Sequence, residues 1–305
     1  MKKTLVCITG PTASGKTALA VKLALHYKTE IVSFDSRQFY CELKIGSAPP
    51  TAEQLLQVPH HFIFCRSVTE PYNAATYAAD AKERIAKLFE NYDVVIMVGG
   101  SGLYLDALLH GLDEMPEVLP DVRKALQKSL QCDGIAVLQQ ELRQADPEYF
   151  HKVDIHNPAR LIRALEVIRS SGRKFSEFRK NKTNTDLNFQ PVVIFLNPPR
   201  EILYHSIHLR VEEMIQQGLL DEVRSLVPYK HYKPLDTVGY KELFEYLEGN
   251  YSLQEAIDKI KQHTRNYAKR QITWFKRTPY LLHLSKPDHF EAIEFLDKII
   301  DSDNV

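Results

Sequence analysis

The chain has 305 residues, 44% of them hydrophobic, and its 39 lysines and arginines are balanced by 39 aspartates and glutamates. That apolar content excludes a disordered polypeptide and suffices for one large core or two unequal ones. Zero formal charge excludes a partner held by net charge alone, so any polyanion must meet a local basic face.

Cys7, Cys41, Cys65 and Cys132 are scattered, with no C-x-x-C pair and no histidine at ligand spacing. This argues against a disulfide framework or a zinc site and fits a reducing compartment. The apolar run after the basic start spans only about five residues, too short for a secretory or membrane segment. A cytoplasmic protein without membrane contact is therefore expected.

The first predicted strand, "TLVCIT" at 4–9, runs into "GPTASGKT" and then into the helical pattern "ALAVKLALHY". Gly10, Gly15, Lys16 and Thr17 match the G-x-x-x-x-G-K-[ST] loop of nucleotide-binding proteins, in the strand–turn–helix context that the motif requires. Backbone amides from Gly10, Pro11, Thr12, Ala13, Ser14 and Gly15 onward, excepting the imino Pro11, would face phosphate oxygens, with Lys16 as a point charge and Thr17 as a ligand for Mg2+. A second strand, "EIVSFD" at 30–35, ends in Asp35. Asn73 caps a helix that leads into a third strand, "DVVIMV" at 93–98. That strand ends in glycines and Ser101, where a nucleoside triphosphatase or kinase would carry an acid for Mg2+; Asp93 lies at its other end. From 112 to 190 the strand signals give way to helical patterns, among them "NPARLIRALEVIRSSG", with Asn157 as cap, Pro158 at the first position and Gly172 as terminator. A fourth strand, "PVVIFLN" at 191–197, precedes two long helices, the second opening with Ser252 and Glu255 in capping-box register.

Strand alternating with helix, and strands rich in valine and isoleucine, predict a parallel sheet with ligands at its carboxyl ends. The expected fold class is α/β, a P-loop-type parallel sheet flanked by helices and carrying an all-helical insertion domain. Residues 1–114 and 183–305 form the core, and 115–182 the insertion.

Together, "GPTASGKT", "SFDSRQFY", "VGGSGLY", "NPARLIRALEV" and "YAKRQITWFKR" resemble the tRNA dimethylallyltransferase family, in family order from residue 4 to about 278. The resemblance implies transfer of a dimethylallyl group from dimethylallyl diphosphate to N6 of adenosine 37 beside the tRNA anticodon. The loop would then hold a diphosphate leaving group, and the missing acid is no defect because no phosphoryl group moves. Asp35 is the implied general base, Thr12 a contact to the donor, and Arg210 a cation approaching the diphosphate from the opposite side. For the flipped-out base and its flanking RNA, the resemblance implies Asp35, Ser36, Arg37, Gln38, Ser101 and Arg123, with Ala159, Arg160, Leu161, Ile162 and Arg163 from the insertion. Ser101 stands where the family usually has threonine, and "DTVGYKE" at 236–242 lacks the Arg-Cys pair that often precedes Gly-Tyr.

Two basic runs are further candidates for RNA phosphate: Arg169 to Lys182 has six basic residues and one acid, and Ala256 to Tyr280 has seven and one. In the second, Lys261, Arg265 and Lys269 fall on one helical stripe, while Leu253, Ile257, Ile260, Thr264, Tyr267, Gln271 and Trp274 form the predicted buried face. His60, His61, His205 and His208 are expected to be core or surface residues rather than metal ligands, and Tyr240 and Phe244 packing residues. Three other readings stay open: prenyl transfer to free adenine nucleotides, a P-loop kinase of a small metabolite, and an RNA-binding protein with a relic loop. A monomer is expected.

Overall fold

The computed structural model describes residues 3–179 and 187–302. In chain order it contains β1 (Thr4–Thr9), α1 (Lys16–His26), β2 (Ile31–Ser33), α2 (Ala52–Gln57), β3 (His60–His61), α3 (Ala74–Phe89), β4 (Val94–Val98) and α4 (Gly102–His110). Helices α5 (Pro120–Asp133), α6 (Ile135–Ala145), α7 (Pro147–Phe150), α8 (Pro158–Ser171) and α9 (Phe175–Phe178) follow. The chain then returns through β5 (Gln190–Leu196), α10 (Arg200–Gln216), α11 (Leu219–Ser225), α12 (Tyr240–Leu247), α13 (Leu253–Phe275), β6 (Leu282–Leu284) and α14 (His289–Ser302). It divides into two compact units, Met1–Leu109 with Asp186–Val305, and His110–Thr185.

The first unit is built on a parallel sheet of order β3-β2-β4-β1-β5-β6. All six residues of β1 and all five of β4 are buried. Alternation divides them between two cores: Leu5, Cys7, Val95, Met97 and Phe195 pack with α3, α4 and the helices after β5, whereas Val6, Ile8, Ile96, Ile194 and Leu196 pack with α1 and α14. Burying one such aliphatic side chain is worth about 1.5–3 kcal/mol, so packing on both faces fixes the central strands. Every strand then delivers its carboxyl end to the same edge of the sheet.

The expected caps are present. Asn73 Oδ1 accepts the Ala75 and Thr76 amides, Asn157 Oδ1 accepts that of Arg160, and Ser252 with Glu255 closes a capping box on α13. β2 is shorter than the expected 30–35: after Ser33 the chain turns, because Asp35 Oδ1 accepts the Arg37 amide at 3.0 Å. β3 and β6 were not expected, since two and three residues at the sheet edges carry no readable alternation. Tyr240 and Phe244 are buried in the core as predicted. No described helix is long and apolar enough to cross a membrane, and all four cysteines are free.

The helical unit has its own core of Leu126, Leu138, Leu142, Leu161 and Leu165, closed by an edge-on Tyr149–Phe175 pair at 4.6 Å. Inside it Glu166 is only 1% exposed. Its carboxylate takes both arms of the Arg123 guanidinium, Nη2 at 2.9 Å, and lies 3.6 Å from Arg163. A buried carboxylate that loses its cation is costly, but Arg123 is half exposed, which lowers the figure to about 2 kcal/mol. Arg123→Ala is accordingly expected to destabilise the helical unit by that amount in hydrogen exchange of the α8 amides, and Arg123→Ala with Glu166→Gln to recover most of it.

Candidate active site

The loop after β1 begins with a backbone crossing that tolerates no side chain. At Gly10, φ is +146°, and a Cβ would lie 2.2 Å from the Leu196 carbonyl oxygen on the neighbouring β5. Thr9 fastens the same crossing by donating to the Ile194 carbonyl at 3.0 Å. Ala13 and Gly15 both adopt positive φ, and Lys16 opens α1. Gly15 caps α1 without a side-chain acceptor, so the first amides of the helix are available to an anion. Ser14 adds a buried hydroxyl with no hydrogen-bond partner among the described residues.

A cleft of about 840 Å³ opens over this loop. Its lining includes Thr12, Lys16, Thr17, Asp35, Arg37 and Arg210, with an apolar wall of Ile207, Val211, Met214, Val238 and Ile260. Lys16 Nζ donates to the Pro11 carbonyl at 2.5 Å. Burial pulls its ammonium down to about 7, with Asp35 opposing the shift and Arg210 adding to it. Arg210, on α10, reaches Thr12 Oγ1 at 3.3 Å. Burial lowers its pKa too, against Glu213 and Asp35. Asp35 faces these cations from the end of β2, and burial raises its carboxyl pKa in spite of the Arg37 amide and Lys16. The structure therefore brings together the loop, Thr12, Asp35 and Arg210, which lie up to 198 positions apart in the chain.

The residues beside Asp35 are locked by hydrogen bonds. Ser36 donates its amide to Ser101 Oγ at 3.0 Å, and Ser101 returns its hydroxyl to Ser36 Oγ at 3.1 Å. Gln38 Nε2 donates to the Ala48 carbonyl at 2.9 Å. Two features escaped the sequence reading. Glu222 accepts the Ile45 and Gly46 amides and the Tyr240 hydroxyl, pinning the 44–50 loop along the cleft. Tyr267, assigned only to packing, lines the cleft.

Other predicted contacts are placed differently. Ala159 and Arg160 are exposed on the first turn of α8, whereas Leu161 is fully buried and offers no side-chain surface; Ile162 packs against the same core. Arg123 and Arg163 are engaged with Glu166, and Arg169 forks onto Glu141 at 2.7 Å. Lys180 and Lys182, from the first basic run, lie outside the described residues. In the second run Lys261 pairs with Glu212 at 2.8 Å and Arg265 contacts His208 at 2.6 Å, while Lys269 is exposed. Trp274 is not buried as predicted: it is 40% exposed and donates to Asp106 at 3.1 Å, because a bulky indole on the last turn of α13 finds a carboxylate at the protein surface. His60 and His61 rest against the Val58 carbonyl and Glu30.

Comparison with known proteins places this arrangement. The model of the family described as IPP transferase matches residues 38–278. The tRNA dimethylallyltransferase 1 of Phocaeicola vulgatus is 42% identical over 299 residues, 98% of this chain and 99% of that protein. That of Flavobacterium johnsoniae is 47% identical over 281 residues, 90% and 91% of the two chains. The crystal structure of a full-length tRNA isopentenylpyrophosphate transferase from Bacillus halodurans has a TM-score of 0.71 at 33% identity, covering 99% of this chain and 96% of that one.

The depressed Lys16 pKa has a measurable sign. Below about 7 the free amine is charged, and above it neutral; a bound anion favours the charged form and raises the pKa in the complex. Pyrophosphate binding is thus expected to take up a proton above pH 7, and affinity to fall as pH rises, by up to about tenfold per pH unit. Titration calorimetry at pH 6 and pH 8 in buffers of different ionisation enthalpy checks this. Lys16→Arg, whose guanidinium stays charged throughout, isolates the Lys16 contribution from the protonation of pyrophosphate itself.

Proposed function

The chain belongs to the IPP transferase family and is an enzyme; on that premise we propose that its cleft moves the dimethylallyl group of dimethylallyl diphosphate to N6 of adenosine 37, next to the tRNA anticodon, and releases diphosphate. The observation that carries this reading is the convergence of Lys16, Arg210 and the phosphate loop on one side of a cleft with Asp35 facing them.

Breaking the allylic C–O bond leaves negative charge on the diphosphate. Lys16, the loop amides and Arg210 stabilise that charge more in the transition state than in the bound donor, which is where binding becomes rate. Thr12, bonded to Arg210, would face the departing oxygen. The C–N bond forms as N6 gives up its proton, and Asp35 receives it; a carboxyl whose pKa is raised by burial is a stronger base than a solvated one. The apolar wall of the cleft accommodates the five-carbon tail.

The Thr17 hydroxyl, on the first turn of α1, is a hard oxygen donor lining the cleft and would hold Mg2+. When bound there, Mg2+ would neutralise part of the diphosphate charge. For the RNA, Ser36, Arg37, Gln38 and Ser101 frame the acceptor pocket, and exposed Ala159, Arg160 and Lys269 offer outer contacts. A helical unit of its own favours an RNA acceptor over a free nucleotide, which needs neither that unit nor a basic helix. Such an enzyme works as a monomer in the cytoplasm.

The test supplies labelled dimethylallyl diphosphate and Mg2+ with either tRNA or AMP, and γ-labelled ATP in a separate arm. Label is expected on tRNA alone; label on AMP, or phosphoryl transfer from ATP, refutes the reading. Asp35→Ala is expected to lose at least about a hundredfold in turnover, with pyrophosphate affinity within about threefold of wild type in calorimetry.

A further inference from the structure

Helix α13 carries a glutamine where its packing asks for a hydrocarbon. Gln271 is 5% exposed, and its neighbours on the inner face of the helix are Ala256, Ile260, Ala268 and Phe275. Burying a carboxamide costs free energy unless both ends are bonded. Here both are: Oε1 accepts the Thr12 amide at 2.8 Å, and Nε2 donates to the Gly100 carbonyl at 2.9 Å. A backbone amide only donates and a carbonyl only accepts, so the orientation of the carboxamide is forced.

The two anchored groups belong to opposite sides of the reaction. Thr12 is the loop residue whose hydroxyl meets Arg210. Gly100 precedes Ser101, which holds the amide and hydroxyl of Ser36, next to Asp35. The turn after β4 is stripped of side chains where α13 approaches: a Cβ on Gly100 would lie 2.3 Å from Gln271 Nε2, and one on Gly102 2.3 Å from the Trp274 ring. One turn before Gln271, Tyr267 lines the cleft from the same helix face.

Resting on the transfer reading above, we infer that Gln271 is a positioning residue, which sets the distance between the diphosphate loop and the Asp35 segment by bridging Thr12 and Gly100. Both bonds of its carboxamide go to protein backbone. Transfer needs the donor carbon and the acceptor amine aligned along one line, and an error of about 1 Å costs on the order of a hundredfold in rate. A hydrocarbon at 271 would fill the space but leave the Thr12 amide and Gly100 carbonyl unpaired, so the two segments would settle independently.

Full-length Gln271→Met keeps the length and loses both bonds; Gln271→Glu keeps an acceptor for the Thr12 amide and sets an oxygen against the Gly100 carbonyl. Each is compared with wild type in single-turnover transfer to tRNA, in pyrophosphate affinity by calorimetry, in KM for tRNA and in thermal unfolding. The expected result is a loss of about a hundredfold in the single-turnover rate, with pyrophosphate affinity and KM within about threefold and cooperative unfolding retained. A rate within threefold of wild type overturns the positioning role, as does a loss matching the unfolded fraction. Should the Met variant fail to fold, Gln271→Asn, which keeps the amide but cannot span both partners, decides by the same readouts. No transfer by the wild type refutes the underlying reading; transfer by wild type and variants alike refutes the positioning role alone.

Discussion

Two cations and a carboxylate share one cleft at the carboxyl edge of the sheet, and their mutual electrostatics organise the site. Burial lowers the pKa of Lys16 and Arg210 and raises that of Asp35. An anion entering the loop favours the charged form of both cations. Partial burial strengthens the attraction between these cations and such an anion.

Holding such groups together requires a scaffold that does not yield. Central strands buried on both faces supply it, since sliding one of them by a residue would exchange the two cores. From that sheet the loop leaves through Gly10, whose contact with the Leu196 carbonyl leaves no room for a Cβ. Helices α10 and α13, contributed from far along the chain, then reach across the carboxyl edge with Arg210, Tyr267 and Gln271. Polar side chains close these long connections, whereas apolar ones fix the layers.

The helical unit uses its charges differently. Arg123, Arg163 and Arg169 each hold a glutamate of their own unit while keeping part of the side chain exposed. Leu161, counted with its neighbours on α8, is a core residue, because a helix that packs one face against a core cannot present five consecutive side chains outward. Ala159, Arg160, Arg173, Lys174, Lys269 and Arg270 are among the members of those runs that remain on the surface.

Local sequence determined a great deal. The strand–glycine–helix pattern located the loop, valine-rich runs located the central strands, and Asn73, Asn157, Gly172 and Ser252 marked helix ends, because these signals act between residues close in the chain. Five motifs in order also identified the family. Tertiary structure alone decided that Tyr267 lines the cleft, that Gln271 joins Thr12 to Gly100, that Glu222 anchors the 44–50 loop, and that Trp274 sits at the surface. Those outcomes depend on which distant backbone donors and acceptors are left over once the sheet has formed, and no periodicity in a single helix records the partners that folding brings to it.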